Sequence, residues 1–185
     1  MSHQLGLEGV YEKLVLLEHF SGGSQEYCRA RLAGSEADQG DAALDDYWSW
    51  LKAIVSTYLI ECAVRTRILQ DTVRGDGAQQ LAALDTVACE GLVVGTVVSG
   101  AFRLSLREAC NKIIHATKAI PEWAAAVEGG QEFRYWNGDY RLRGSKGQDQ
   151  WELILHVPAW ARAMARFLDE ARAAELTEYV GQDWY

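Results

Sequence analysis

The stretch Ser105-Leu-Arg-Glu-Ala-Cys-Asn-Lys-Ile-Ile-His-Ala116 carries the residue types best suited to chemistry. Arg107, Asn111 and His115 stand at i, i+4 and i+8, a spacing that stacks them on one face of a helix over two turns. An Arg there can hold an anion such as phosphate. A His exchanges a proton near neutral pH, and an amide orients one or the other. The same pattern also has a structural use. A helical His followed by Ala is often an interface group, and Arg107 can pair with an acid of a neighbouring helix.

Two further sets invite attention. Glu61 and Arg65 stand four apart in an otherwise apolar helical stretch, in the order that favours an ion pair. The pair is either structural or a support that orients Arg107 or His115 from a facing helix. Farther on, Tyr135, Trp136 and Tyr140 are interleaved with Arg134, Arg141, Arg143 and Lys146. Such a mixture can stack on bases and hold phosphates, which makes Arg141, Arg143 and Lys146 candidate RNA contacts. Strand alternation argues for the structural reading, with Trp136, Tyr140 and Leu142 lining a core and Arg141 and Arg143 on the solvated side.

The elements that must position these groups are mostly helical. Leu7, Val10, Tyr11, Leu14 and Leu17 predict an amphipathic helix over 7–20, ended by Ser21-Gly22-Gly23. A short helix over 24–33 and a polar loop from Gly34 to Gly40 follow. The longest 3.6-residue pattern opens at Asp41 and ends near Arg74-Gly75, and another helix covers 78–90. Gly91 to Gly100 is ambiguous between strand and loop. Ser105 and Glu108 fit a capping box, starting a helix that runs to about Ala119 and stops before Pro121. Glu132–Arg143 and Gln150–Val157 read as antiparallel strands, with turns at Asn137-Gly138 and Gly144–Gly147. Pro158 opens a last helix over 158–176.

Leu106, Arg107, Asn111 and His115 resemble the L-R-x-x-R-N-x-x-x-H signature of HEPN domains. This is an all-α family of toxins, defence proteins and RNA-processing factors. The resemblance covers residues 41–120. It implies a four- or five-helix bundle, often dimeric with the two motifs facing, and a metal-independent endoribonuclease of a toxin–antitoxin or phage-defence system. In that reading His115 is the acid or base for attack of a ribose 2′-OH on phosphate, Asn111 orients, and Arg107 stabilises the developing charge. The motif's own Arg position holds Cys110. Arg107 must then substitute, and Cys110→Arg is expected to raise cleavage. The alternative is a non-catalytic HEPN-like module for dimerisation or partner docking.

The expected architecture is therefore mostly α. A HEPN-like bundle occupies residues 1–130, and a small β-hairpin or three-stranded sheet plus a final helix, residues 131–185, packs on the same domain. The 185-residue chain has a net charge of −8, which disfavours a general nucleic-acid coat. The charge is uneven. Residues 1–61 hold ten acids and four bases, whereas residues 101–150 hold six acids and eight bases. Four scattered His and four Cys without a C-x-x-C pair argue against a metal site, and no cofactor is expected. Phosphate-binding, dinucleotide, metalloprotease and serine-hydrolase motifs are absent from the sequence. No membrane-length apolar run or signal segment is seen, so a cytoplasmic protein is expected, and the HEPN resemblance implies a homodimer or hetero-oligomer with RNA a candidate partner.

Overall fold

A computed structural model describes residues 7–32, 42–73 and 75–177. The polar loop read at Gly34–Gly40 lies outside the described residues. In chain order the elements are α1 (Glu8–Leu32), α2 (Ala42–Thr72), α3 (Asp76–Ala88), β1 (Gly95–Ser99), α4 (Leu106–His115), β2 (Lys118–Glu128), β3 (Gln131–Lys146), β4 (Asp149–His156) and α5 (Val157–Ala173). The protein is mostly helical with one four-stranded sheet, ordered β1-β4-β3-β2 and antiparallel throughout.

Period-2 patterning builds the sheet's two faces. Trp151, Leu153 and Leu155 of β4 and Tyr140 and Leu142 of β3 point into the core, while Glu152, Ile154, Arg141 and Arg143 point away. Trp136 is fully buried and donates its indole N–H to the carbonyl of Asp139 at 2.8 Å. The alternation read from the sequence is thus the alternation observed. Against the inner face packs α5, which buries Trp160, Ala161, Met164, Phe167, Leu168 and Ala171. Pro158 sits in its first turn, where no intrahelical N–H is needed. Helices α1, α2, α3 and α4 close the same core. Position 130, drawn as a domain boundary, lies in the Gly129-Gly130 turn between β2 and β3.

Several boundaries differ from the sequence reading. Helix α1 does not stop at Ser21-Gly22-Gly23 but continues to Leu32. Its anchor is Ser24, buried beneath the glycines. The Ser24 hydroxyl oxygen accepts from the backbone N–H of Trp136 at 3.0 Å and from the Tyr47 hydroxyl at 2.9 Å. Tertiary packing therefore overrides two poor helix formers. Strand β2 was not expected, because its run Ala-Ile-Pro-Glu-Trp-Ala-Ala-Ala-Val alternates poorly and contains Pro121. It is an edge strand, where a missing N–H is tolerated. Asn137-Gly138 is not a hairpin turn. It lies inside β3, where the pairing with β2 shifts between Pro121↔Tyr140 and Trp123↔Trp136. Gly138 takes φ +91 there, and the Asn137 side chain accepts from the Asp139 N–H at 2.9 Å. The β3–β4 turn falls at Gly147-Gln148, one step past the stretch expected.

Candidate functional site

Helix α4 begins with one half of its capping box, while the Glu108 carboxylate turns to Asn111 and Lys112. Ser105 is the N-cap, and its hydroxyl accepts from the Glu108 N–H at 3.2 Å. A second cap comes from α3. The buried Asp85 carboxylate accepts from the N–H groups of Leu106 at 2.9 Å and Arg107 at 2.8 Å. This places negative charge at the positive end of the helix dipole and satisfies two otherwise orphaned donors. The end of α4 that an anionic substrate would approach is thus already occupied by a protein carboxylate.

Arg107 extends from this end to Asp71 of α2, donating to its carboxylate at 2.6 Å. The other oxygen of Asp71 takes Arg67 at 2.8 Å. Arg107 also lines a cavity of about 570 Å³ between α2, α3 and the start of α4, with Gln70, Asp85, Arg103 and Ser105 among its polar walls. Asn111 donates to Glu108 at 3.1 Å, and the same carboxylate pairs with Lys112 at 3.2 Å. The Lys112 ammonium is buried between the rings of Phe102 and Trp151, 4.1 and 4.4 Å from their centroids. His115 is the last residue of α4 and is exposed. Neither Asn111 nor His115 lines the Arg107 cavity. Eight residues at 1.5 Å separate Arg107 from His115 by about 12 Å along the axis.

Cys110, at the position of the motif Arg, faces inward. It has no solvent exposure, lies 4.0 Å from the Met164 sulfur of α5, and burial pushes its thiol pKa up. A guanidinium at this position would enter the core, so the expectation that Cys110→Arg completes a cleft is corrected by the direction the side chain takes. Glu61 engages Lys13 of α1 at 3.2 Å, and Arg65 lies beside Gly9 of α1. Both belong to the α1–α2 seam, whereas the acid that holds Arg107 is Asp71.

Arg141 and Arg143 of β3 are likewise occupied. Arg141 bridges Glu122 of β2 and Glu152 of β4, and Arg143 donates to Glu152 at 2.9 Å. These hydrogen bonds from Arg143 and Arg141 hold the Glu152 carboxyl below its usual range. Lys146 is exposed at the end of β3. Among the described residues no group of three His, Cys, Asp or Glu side chains could hold a metal ion, and no helix is long and apolar enough to cross a membrane.

A second cavity, of about 560 Å³, opens between α1 and α2. Its walls include Phe20, Tyr27, Tyr47 and Trp50, with Arg31 and Asp46 also lining it. The rings form a connected series. Tyr27 and Tyr47 have centroids 4.5 Å apart, Tyr47 and Trp50 6.4 Å, and Phe20 meets Trp50 edge-on at 5.4 Å. Tyr27 and Trp50 remain 45% and 48% exposed. Sequence reasoning missed this surface because Tyr27 lies past the expected end of α1 and Trp50 outside the apolar series of α2. Comparison with protein-family models, curated proteins and solved structures finds no match to this chain.

Proposed function

We propose that the chain is a dimerising interaction module of the HEPN-like kind, whose α4 motif does not cleave RNA, and that a second copy covers the α1–α2 face. The observation that carries this reading is the apolar character of that face. Tyr27 and Trp50, two of the large exposed hydrophobics among the described residues, line this groove beside Phe20 and Tyr47. Exposed aromatics of this size mark interface cores.

Gly22 and Gly23 support it from a different direction. Each costs an interior helix about 1 kcal/mol relative to Ala. A Cβ at either position would meet nothing within 4 Å among the described residues, so no contact among them requires a glycine there. Close approach of another helix supplies a reason. Arg31 and Asp46 give the groove one base and one acid, which a twofold axis passing between them would set against each other on the two copies.

The occupied state of Arg107 and the inward course of Cys110 argue against RNA cleavage at α4. The ribonuclease reading rests on Asn111 and His115, which both stand on the partly or fully exposed side of that helix. Incubation of purified protein with labelled single-stranded RNA, beside His115→Ala, separates the two. The expected result is no cleavage above that of the variant. Cleavage abolished by His115→Ala would replace the proposal with the nuclease.

A further inference from the structure

The outer face of the sheet holds a hydrogen-bonded chain of three side chains that the helical motif does not involve. Asp139 of β3 and His156 of β4 are register partners. The Asp139 carboxylate lies 2.6 Å from the His156 Nδ1, and the His156 Nε2 lies 3.1 Å from the hydroxyl of Thr96 on β1. An ionised carboxylate only accepts, so Nδ1 carries the ring proton. In the neutral ring Nε2 is then the acceptor, and the Thr96 hydroxyl is the donor. This order of carboxylate, imidazole and hydroxyl is the one in which an imidazole can act as base toward an alcohol nucleophile.

Backbone features hold each member in place. The Asn137-Gly138 bulge precedes Asp139, and bulges re-aim the side chains beside them. The backbone N–H of His156 donates to the Val94 carbonyl at 3.1 Å, fixing the end of β4 against the entry of β1. At Gly95 a Cβ would come within 2.7 Å of the Ile154 carbonyl oxygen, so glycine lets β1 approach closely enough for Thr96 to reach the ring. Thr96 is exposed on an edge strand, with Val98 of the same strand half exposed and Ile154 its cross-strand partner.

We propose that Thr96 is a nucleophile toward small acyl esters, with His156 as general base and Asp139 as its orienting carboxylate. The Thr96 oxygen attacks the ester carbonyl carbon as His156 Nε2 takes the hydroxyl proton. The C–O bond to the leaving alcohol breaks, and the alcohol departs with the proton from His156. Water, deprotonated by the same nitrogen, then attacks the acyl-threonine, releasing the carboxylic acid and restoring the hydroxyl. Val98 and Ile154 offer apolar surface for a short acyl chain. The site does not depend on the α1–α2 interface.

The test uses the full chain with p-nitrophenyl acetate, reading nitrophenol release and acetylation by peptide mass spectrometry. The expected result is acetyl label on Thr96, with release lowered at least tenfold in Thr96→Val and in His156→Gln, and retained in Thr96→Ser. General-base contributions of about 10²–10⁴ set that scale. Groups acting as one unit are non-additive, so Thr96→Val/His156→Gln should lose no more than the worse single variant. Urea midpoints establish that each variant is folded at the assay temperature, and Thr96→Ala, which also lacks the hydroxyl, serves if Thr96→Val is not. Unchanged release in folded Thr96→Val, or acetyl label confined to lysines, would overturn the proposal and leave the three side chains as a stitch between strands.

Discussion

Cys110 shows how a residue's neighbours decide what a motif can do. Its side chain lies in a closed core beside Met164, so Cys110→Arg buries an unpaired guanidinium instead of arming a cleft. An uncompensated buried charge costs about 3–5 kcal/mol, and a fall of that size in urea-unfolding free energy is expected. An unchanged midpoint would mean that the site opens to water. Asp85 carries a smaller, separate load. Asp85→Ala strands two N–H groups at the start of α4, and a loss of about 2 kcal/mol in the same measurement is expected. The Ser105 cap was legible in the sequence because its partner is three residues away. The Asp85 cap was not, since its partners lie more than twenty residues on and only the packing of α3 beside α4 brings them together.

At the scale of elements, long periodic runs were legible and exceptions were not. The helices α2, α3, α4 and α5 follow from apolar spacing, a capping box and Pro158, although α4 ends at His115 and the stretch read as its last turn, to Ala119, opens β2 instead. Strand β2 escaped because alanines carry little β-signal, and Asn137-Gly138 misled because a turn dipeptide also makes a bulge. The sheet predicts its own tests. Truncation at residue 130 removes β3 and β4, the partners of β2 and β1, together with α5. The product should aggregate or bind a hydrophobic dye, and a soluble, cooperatively folding fragment would contradict the single core. Glu152, bonded by Arg143 and Arg141, has a folded pKa below its ordinary value of 4.5. Its stabilising contribution is therefore fully present above that value and is lost as pH falls through the lower folded one. Glu152→Gln should accordingly be less stable than wild type near pH 7. The gap should narrow as urea midpoints are taken to more acid pH, and a gap that widens there would reverse the assigned sign.

For the whole molecule, charge and exposed surface point in different directions. The basic stretch between residues 101 and 150 looked like an anion-binding region, yet in the fold Arg107, Arg141 and Arg143 each meet a carboxylate, and the net charge stays at −8. Pairing across strands and helices is invisible to a linear count, which is why the sequence overstated that region. The α1–α2 face was equally hidden, because Trp50 stands outside the apolar series read along α2, Tyr27 follows the glycines where a helix end was read, and only the packing of α1 on α2 brings the two rings together.

Sedimentation velocity on the purified chain, run across a concentration series from about 1 to 100 μM beside Trp50→Glu, reads the central claim directly. An interface with apolar aromatic anchors and micromolar or tighter affinity corresponds to about 8 kcal/mol or more of binding free energy. Wild type should shift to a dimer within that range. Trp50→Glu sets a carboxylate in the middle of the apolar face and should hold the chain monomeric while it stays folded at the assay temperature by its urea midpoint, since Trp50 is half exposed in the protomer and loses only its contacts with Phe20 and Tyr47. A wild type that remains monomeric at the highest concentration, or a Trp50→Glu variant that dimerises equally well, would contradict the account.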